Sequence, residues 1–404
     1  MIAVGERVRA IPGALSIYIN ELVYNLRRCG KDIITLSLGE AFFDIPMFDF
    51  AKLDFVRGYH YSDSLGLPEL REAIARFYED QYGVRVDAQK EMMVTAGSKA
   101  AIYMAILGTV NRGEQVLIHE PAWLSYQEQV RLVDATPRFI PYNVPPSQFE
   151  SWFGPSTRML VINNPNNPAG RIYAAEELKL LVALCRKHRA WLLVDEAYSD
   201  FLRPGEFNTV LKFDETRDVT IVANSLSKNM GMSGWRIGYL IGRPGLIREV
   251  VKLNQHIITC APTILQSYLA HYFDKIIAIT LPQAREVVDK RGRVAAKLRE
   301  LQLQTLEGSA TFYFFVGMGD FPGSSMDLAL YLLLFHNISV APGLAYGEST
   351  DRFVRISIGT ESEERIADAL TVIRNVLQER DNVRALVSKK LADLGLPEFA
   401  AAHA

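Results

Sequence analysis

Cysteine is scarce: 404 residues carry three, Cys29, Cys185 and Cys260, and no two form a CxxC pair. Such spacing supports neither a disulfide framework nor a structural zinc site, and it fits a reducing cytoplasm. An excess of one charge is missing too. Lys plus Arg number 44 and Asp plus Glu 46, so a net charge of −2 offers no broad basic field to nucleic acid or an anionic membrane. No apolar run approaches the roughly 20 residues a membrane helix needs; the longest suggestive one is Leu328–Phe335. The opening MIAVGERVRAIPGA lacks the apolar centre of a signal peptide, and a cytoplasmic location is expected. Nucleotide-binding glycine motifs are absent as well. No G-x-G-x-x-G follows an early strand, Gly317-Met-Gly319 lacks the third glycine and sits late, and no G-x-x-x-x-G-K-[ST] occurs. Repeats, low-complexity tracts and long linkers do not interrupt the chain.

What remains is the composition of an enzyme-sized globular protein, 49% hydrophobic and 22% charged, able to bury a sizeable core. The length fits two or three domains, or two large lobes. Short apolar runs predict strands over Glu91–Thr95, Gln115–His119, Arg158–Ile162, Trp191–Val194 and Val219–Ala223. Helical patterns lie between several of them, among them Lys99–Thr109 and Ala175–His188, and Pro68 opens another that Gly83 follows. This alternation predicts an α/β fold with a largely parallel sheet covered on both faces. After about Leu265 the pattern changes to a long helical region through Arg285–Leu301, strands over Thr311–Val316, Ile338–Ala341 and Phe353–Ile358, and a helix over Ser362–Leu377. A smaller α+β lobe is expected there. The division anticipated is a large domain over 45–290 and a small one built from 1–44 and 291–404.

Ligands of open α/β sheets bind beyond the carboxyl ends of the strands. The residues that follow the predicted strands are Gly97-Ser98-Lys99, Trp123, the run Asn163 to Pro168, Asp195 to Tyr198, and Ser225 to Lys228. They supply lysines, carboxylates, amides, hydroxyls and aromatics, with no metal-ligand cluster and no Ser/His/Asp arrangement. Taken singly, each has an ordinary structural explanation. The Gly97 turn opens a helix whose free N–H groups can hold an anion, or merely shapes a turn. Asp195 alone would cap a helix or sit in a salt bridge. Lys228, Arg236 and Arg355 alone would be solvated charges, and Trp123 and Tyr198 core.

Together they say more. The stretch Ser225-Leu-Ser-Lys-Asn-Met-Gly-Met-Ser-Gly-Trp-Arg-Ile-Gly238 resembles the pyridoxal-phosphate lysine signature of the class I/II aminotransferases, in the fold type I, aspartate aminotransferase family. Asn164-Pro-Asn-Asn-Pro-Ala-Gly170 and Asp195-Glu-Ala-Tyr198 resemble two further hallmark blocks in the expected order. Tyr61, the segment Gly66 to Arg71, and Arg355 in Phe-Val-Arg-Ile-Ser match too, so the likeness runs from about Arg7 to Val376. It implies a pyridoxal 5′-phosphate enzyme moving an amino group between an L-amino acid and a 2-oxo acid.

By this resemblance Lys228 is the Schiff-base lysine and proton carrier, with an amine pKa lowered by neighbouring cations and partial burial. Asp195 pairs with the pyridine nitrogen, Tyr198 and Asn167 reach the 3′ oxygen, and Trp123 stacks on the ring. The phosphate is expected on the N–H groups after Gly97, at Ser98 and Lys99, with Ser225, Ser227 and Arg236 adding donors. Tyr61 is expected to reach it from a second subunit, implying a homodimer with shared active sites. Arg355 would clamp the substrate α-carboxylate, assisted by Gly39 and Asn167. Lys99 stands where some bacterial relatives place a lysine for a distal carboxylate, which would favour 2-oxoglutarate or glutamate in one half-reaction; equally, it could cap the helix or face solvent. Phe42, Phe43 and Tyr18 are candidates to line a pocket for a larger apolar substrate. Two positions depart from the family pattern: Ala169 replaces a threonine, and Ala41 follows Gly39-Glu40 where proline is usual. The same residues also serve β- or γ-elimination, replacement and cyclisation in relatives of the aminotransferases, so these reactions stay open. A non-catalytic regulatory protein binding the same cofactor would want a DNA-binding module, for which the segment before Gly39 is expected to be too short.

Overall fold

A computed structural model describes residues 4–379 and 383–399. Seven strands form its main sheet, in the order Met92–Thr95, Gly238–Ile241, Thr220–Ser225, Trp191–Asp195, Thr157–Asn163, Gln115–His119, Thr136–Ile140. Five of the strands match the expected runs to within a few residues. Pairing is parallel from Thr220–Ser225 to the Thr136–Ile140 edge, and only Gly238–Ile241 runs against its neighbours. Successive side chains of a strand point to opposite faces. Both faces are buried except at the Thr136–Ile140 edge, which is why most of the other strands read as apolar runs. Met92, Val94, Leu192 and Val194 join one core with the helices Pro68–Tyr82 and Ala175–Lys187, whereas Met93, Leu193, Ile221 and Val161 join another with Ser98–Thr109 and Pro244–Ile257.

A third core lies beyond them. It packs the helix Leu15–Arg28, absent from the sequence reading, against the helices Ser325–His336, Glu363–Val376 and Arg384–Asp393 and a three-stranded antiparallel sheet. That sheet orders Ala341–Pro342, Phe353–Ser357 and Tyr313–Gly317. The single strand expected over Ile338–Ala341 is therefore two: Ile338–Ser339 pairs in parallel with Ile34–Thr35, and the chain switches sheets one residue later.

The helical region expected over Arg285–Leu301 begins far earlier, forming one helix over Thr263–Glu300 with Pro282 inside it. Proline removes the donor for the carbonyl of Ala278. Gln283 Nε2 donates to the next carbonyl, Ile279, at 3.2 Å. Burial on both sides of the proline holds the helix together, with Leu269, Phe273 and Ile276 in the first core and Ala284, Val294 and Leu298 in the third. The anticipated 290/291 division falls inside this helix.

Candidate active site

Six strands of the main sheet end on one edge, and the groups that follow five of them surround a cavity of about 610 Å3. At Gly97 the backbone takes φ +80° and turns into the helix Ser98–Thr109. Because Gly238–Ile241 runs antiparallel, it starts where its neighbours end, and this brings Arg236 to the same edge. Arg236 sits in the left-handed region at φ +58°, and a Cβ on Gly97 would overlap its Nη2 atom. Gly238 likewise permits the strand to touch the Gly97–Ser98 turn, since a Cβ there would overlap Ser98 N.

Ser225 caps the four-residue turn Leu226–Asn229, its Oγ accepting from Ser227 N at 3.0 Å. The Ser225 hydroxyl is thus committed to the backbone, while Ser227 Oγ is buried in the cavity wall with no partner. Lys99 Nζ lies 4.9 Å from the centre of the Trp123 ring, and burial, then Arg236, lowers its pKa. A helix amino terminus, an unpartnered hydroxyl and two cations facing one space are a site for a multiply charged anion.

Asp195 ends the central strand. Its Oδ2 accepts from the Tyr126 hydroxyl at 2.7 Å and its Oδ1 from Ala197 N at 3.1 Å. Both donors are neutral, and burial pushes the carboxyl pKa up despite these bonds and the nearby Lys228. A buried carboxylate with no bonded cation among the described residues is matched to a cationic N–H arriving from the cavity. Asn163 braces the position by donating from Nδ2 to the Asp195 carbonyl at 2.7 Å while its Oδ1 accepts from Asn167 N at 2.6 Å. Ala169 leaves the turn intact, because Asn166 Oδ1 accepts from Ala169 N at 3.0 Å and Asn166 Nδ2 donates to the Pro121 carbonyl at 2.9 Å.

Lys228 Nζ donates to the Gly39 carbonyl at 2.6 Å. Its pKa is lowered to about 8: burial is the main cause, Glu40 opposes it, Arg355 and Arg236 add to it, and Asp195 opposes. Both expected causes act, burial more strongly than the two arginines. An amine in this range is available as base and nucleophile near neutral pH.

The third core supplies the opposite wall. Tyr198 packs into it, with its hydroxyl 3.0 Å from that of Tyr313 and accepting from Asn167 Nδ2 at 3.3 Å. Arg355 is 4% exposed and donates to the Ser37 carbonyl at 2.5 Å and to Asn167 Oδ1 at 3.3 Å. Its guanidinium lies 4.5 Å from the Tyr313 ring centre, and a Cβ on Gly39 would sit 3.9 Å from both terminal nitrogens. Gly39 and Arg355 are therefore neighbours, as a shared carboxylate would require.

These features are those of a known family. A sequence model described as "Aminotransferase class I and II" matches residues 47–373. The chain belongs to this aminotransferase family. It is 30% identical over 362 residues to an aspartate aminotransferase of Pyrococcus abyssi, covering 87% of this chain and 93% of that one. An aromatic-amino-acid aminotransferase 2 of Thermococcus litoralis is 29% identical over 370 residues, with 89% and 95% covered. The solved structure of Thermus thermophilus aspartate aminotransferase with maleate superposes with a TM-score of 0.84 at 28% identity, covering 93% of this chain and all of that one. The fold is fold type I, and the protein is an aminotransferase.

Most of the expected residues of this aminotransferase meet in one place. Gly39, Ser98, Lys99, Trp123, Asn167, Asp195, Tyr198, Ser225, Ser227, Lys228 and Arg236 line the cavity, with Gly97 and Arg355 directly behind them. Tyr61 does not; it is 86% exposed and lines no part of the cavity in a single chain. The aromatic candidates near the amino end also fall outside the lining. Phe42 is exposed, Phe43 stacks on Phe201, and Tyr18 is buried in the third core, donating its hydroxyl to the Pro397 carbonyl. Tyr126, Tyr313 and Glu40 also belong to the site and were not singled out from the sequence. Tyr126 stands three residues after Trp123 and packs edge-on against it at 5.3 Å, a proximity in sequence that could have flagged it. Tyr313 begins a strand of the other lobe and carried no such signal. Among the described residues no group of His, Cys, Asp or Glu could hold a metal ion, and no helix is long and apolar enough to cross a membrane.

The residues present fit pyridoxal phosphate. An unpartnered buried Ser227 hydroxyl beside a helix amino terminus suits its phosphate, and the buried, cation-free Asp195 carboxylate suits a protonated ring nitrogen.

Proposed function

We propose that this aminotransferase binds pyridoxal 5′-phosphate between Gly97 and Asp195 and moves an amino group between an L-amino acid and a 2-oxo acid, with 2-oxoglutarate and glutamate as the pair in one half-reaction. The observation that carries the reading is the amine of Lys228 facing the buried Asp195 carboxylate across a cavity whose far end is an anion cradle. When bound, the cofactor supplies a conjugated ring that withdraws the electron pair left at the substrate Cα. Asp195 holds a proton on the ring nitrogen, and Tyr126 keeps that carboxylate charged. Lys228 Nζ takes the proton from the substrate Cα and holds it for return. Tyr198 and Asn167 would hold the ring's 3′ oxygen with a hydroxyl and an amide, and Trp123 would pack against the ring. Ser98 N, Lys99 N, Ser227 Oγ and the Arg236 guanidinium hold the phosphate. Arg355 forks the substrate α-carboxylate beside Gly39, and Lys99 Nζ meets a distal carboxylate.

The same reading makes the enzyme a cytoplasmic homodimer of two-lobed subunits. Tyr61, exposed in one chain, would reach the partner's phosphate cradle. Exposed apolar groups at Phe42, Met47, Val56 and Tyr59 near it in sequence support a covered face.

Borohydride reduction of the loaded enzyme followed by peptide mapping tests the core of this reading. The pyridoxyl group is expected on Lys228, and a label on any other lysine overturns it. Product assays with and without 2-oxoglutarate separate amino transfer from elimination, replacement or cyclisation. Turnover that persists without any 2-oxo acid acceptor would refute transfer as the reaction.

A further inference from the structure

Behind the cavity, a buried polar chain brackets the turn that carries Lys228. It begins one residue before the Ser225 cap, where Asn224 Nδ2 donates to Ser199 Oγ at 3.3 Å. Ser199 Oγ lies 2.9 Å from the Tyr82 hydroxyl. Tyr82 donates to Asp200 Oδ1 at 2.7 Å, and Asp200 Oδ2 accepts from Asn229 Nδ2 at 2.9 Å. Asn229 is the residue immediately after Lys228, so the chain ends where it began, on the lysine turn. Asp200 itself belongs to the turn that carries Asp195 and Tyr198.

Such bracing answers a physical need. Leu226–Asn229 is a four-residue helical turn, too short to persist without outside support. Gly231, at φ +64°, follows closely and gives the chain an easy hinge. Inside the cavity, the Lys228 amine is anchored to the Gly39 carbonyl, and this bond is given up whenever the amine reacts. The bond from Asn229 to Asp200 lies outside the cavity lining and survives that exchange. Burial raises the Asp200 pKa, opposed by the bonds from Tyr82 and Asn229 and by Arg285; as a carboxylate it accepts a stronger bond than a neutral group would.

We propose that Asp200 is a positioning residue for Lys228, its carboxylate coupling the Asp195–Asp200 turn to the lysine turn through Asn229. The inference rests on the reading of Lys228 as the reacting amine, and it adds a residue that touches neither substrate nor cofactor. A misplaced base costs rate rather than affinity. Loosening the turn also lets water reach the amine, which faces Asp195, Tyr198, Arg236, Arg355 and Glu40.

The test compares Asp200→Ala, Asp200→Asn and the exchange pair Asp200→Asn with Asn229→Asp. Amino-transfer kcat and KM are measured on the loaded enzymes. Separately, acylation of Lys228 by acetic anhydride is followed against pH by peptide mass on the full-length chain without cofactor. For Asp200→Ala, kcat falls about tenfold with KM changed less than about twofold, and the acylation midpoint rises by roughly 0.5 pH unit. Asp200→Asn keeps one acceptor and loses less, and the exchange pair restores kcat to within about threefold of wild type. If Asp200→Ala does not fold, the single and exchanged asparagine variants carry the comparison. Wild-type kcat and midpoint in a folded Asp200 variant overturn the inference. So does a loss that raises KM equally and that the exchange fails to restore, because that marks general loosening. Lys228→Ala separates the two readings: retained turnover there refutes the assignment of Lys228, whereas an inactive Lys228→Ala beside unaffected Asp200 variants refutes the positioning role alone.

Discussion

Burying the Lys228 amine costs stability, and the cost can be measured. Burial lowers the amine pKa from 10.5 to about 8 in the folded chain. At about 1.4 kcal/mol per unit, this difference corresponds to about 3 kcal/mol. The folded value lies below the unfolded one, so between them the unfolded chain binds more protons. Stability is therefore lost as pH falls from 10.5 through 8, and the penalty is complete below 8. Lys228→Met removes the ammonium while keeping an unbranched side chain. In urea unfolding of both proteins without cofactor, the variant exceeds wild type at pH 7 by up to about 3 kcal/mol. Loss of the bond to the Gly39 carbonyl reduces this gain by about 1 kcal/mol. As pH rises to 10.5 the gap closes by about 3 kcal/mol, because only wild type gains stability from losing this proton. All other titrating groups are common to both proteins and largely cancel in the difference. A gap that stays constant from pH 7 to 10.5 would refute the reasoning, since the amine would then be as hydrated folded as unfolded.

Tyr126→Phe removes a hydrogen bond to the buried Asp195 carboxylate worth about 1.5–3 kcal/mol. The carboxyl pKa, already raised by burial, rises further, so kcat falls about 10- to 100-fold near pH 7 and its acid limb moves to higher pH; a pH–rate profile within twofold of wild type throughout would sink the pairing. Arg355→Lys turns a two-bond fork into a point charge, and KM for both amino acid and 2-oxo acid rises on the order of 100-fold in steady-state assays. Unchanged affinity would remove Arg355 from the carboxylate site. Lys99→Ala raises KM for 2-oxoglutarate about tenfold and leaves that for pyruvate, which lacks the distal carboxylate, within about twofold. Equal effects on both acids would assign Lys99 to the phosphate alone.

Much of the fold was legible because both sheet faces are buried, which writes each central strand as an apolar run with its chemistry appended at the carboxyl end. Thr136–Ile140 escaped because, unlike the buried edge strand Met92–Thr95, it holds Pro137 and Arg138 and buries fully only Ile140. Gly238–Ile241 escaped because Gly238 and Ile237 read as the tail of the lysine motif. The helix Thr263–Glu300 was half hidden by Pro282, whose cost in isolation is offset here by packing on two cores.

The site divides along the same line. Groups delivered by strand ends, from Gly97 to Lys228, could be read locally, since one sheet edge fixes them all. Tyr313 and Arg355 come from a different sheet, whose strands pair Arg355 with Phe315, and a carboxylate fork is recognisable there only through a motif. Tyr126 and Asp200 lie further off still, because each acts through the residue it bonds rather than through the cavity. The antiparallel strand joins the two kinds. Its reversed direction lets the chain leave Lys228, pass through a left-handed Arg236 and re-enter the sheet at Gly238, so one short segment supplies both the amine and a cation for the phosphate cradle. That reversal depends on glycine at 97 and 238, where any side chain would overlap Arg236 or the Ser98 amide. The spacing of the lysine motif is thus the length of chain needed to turn around one corner of the sheet.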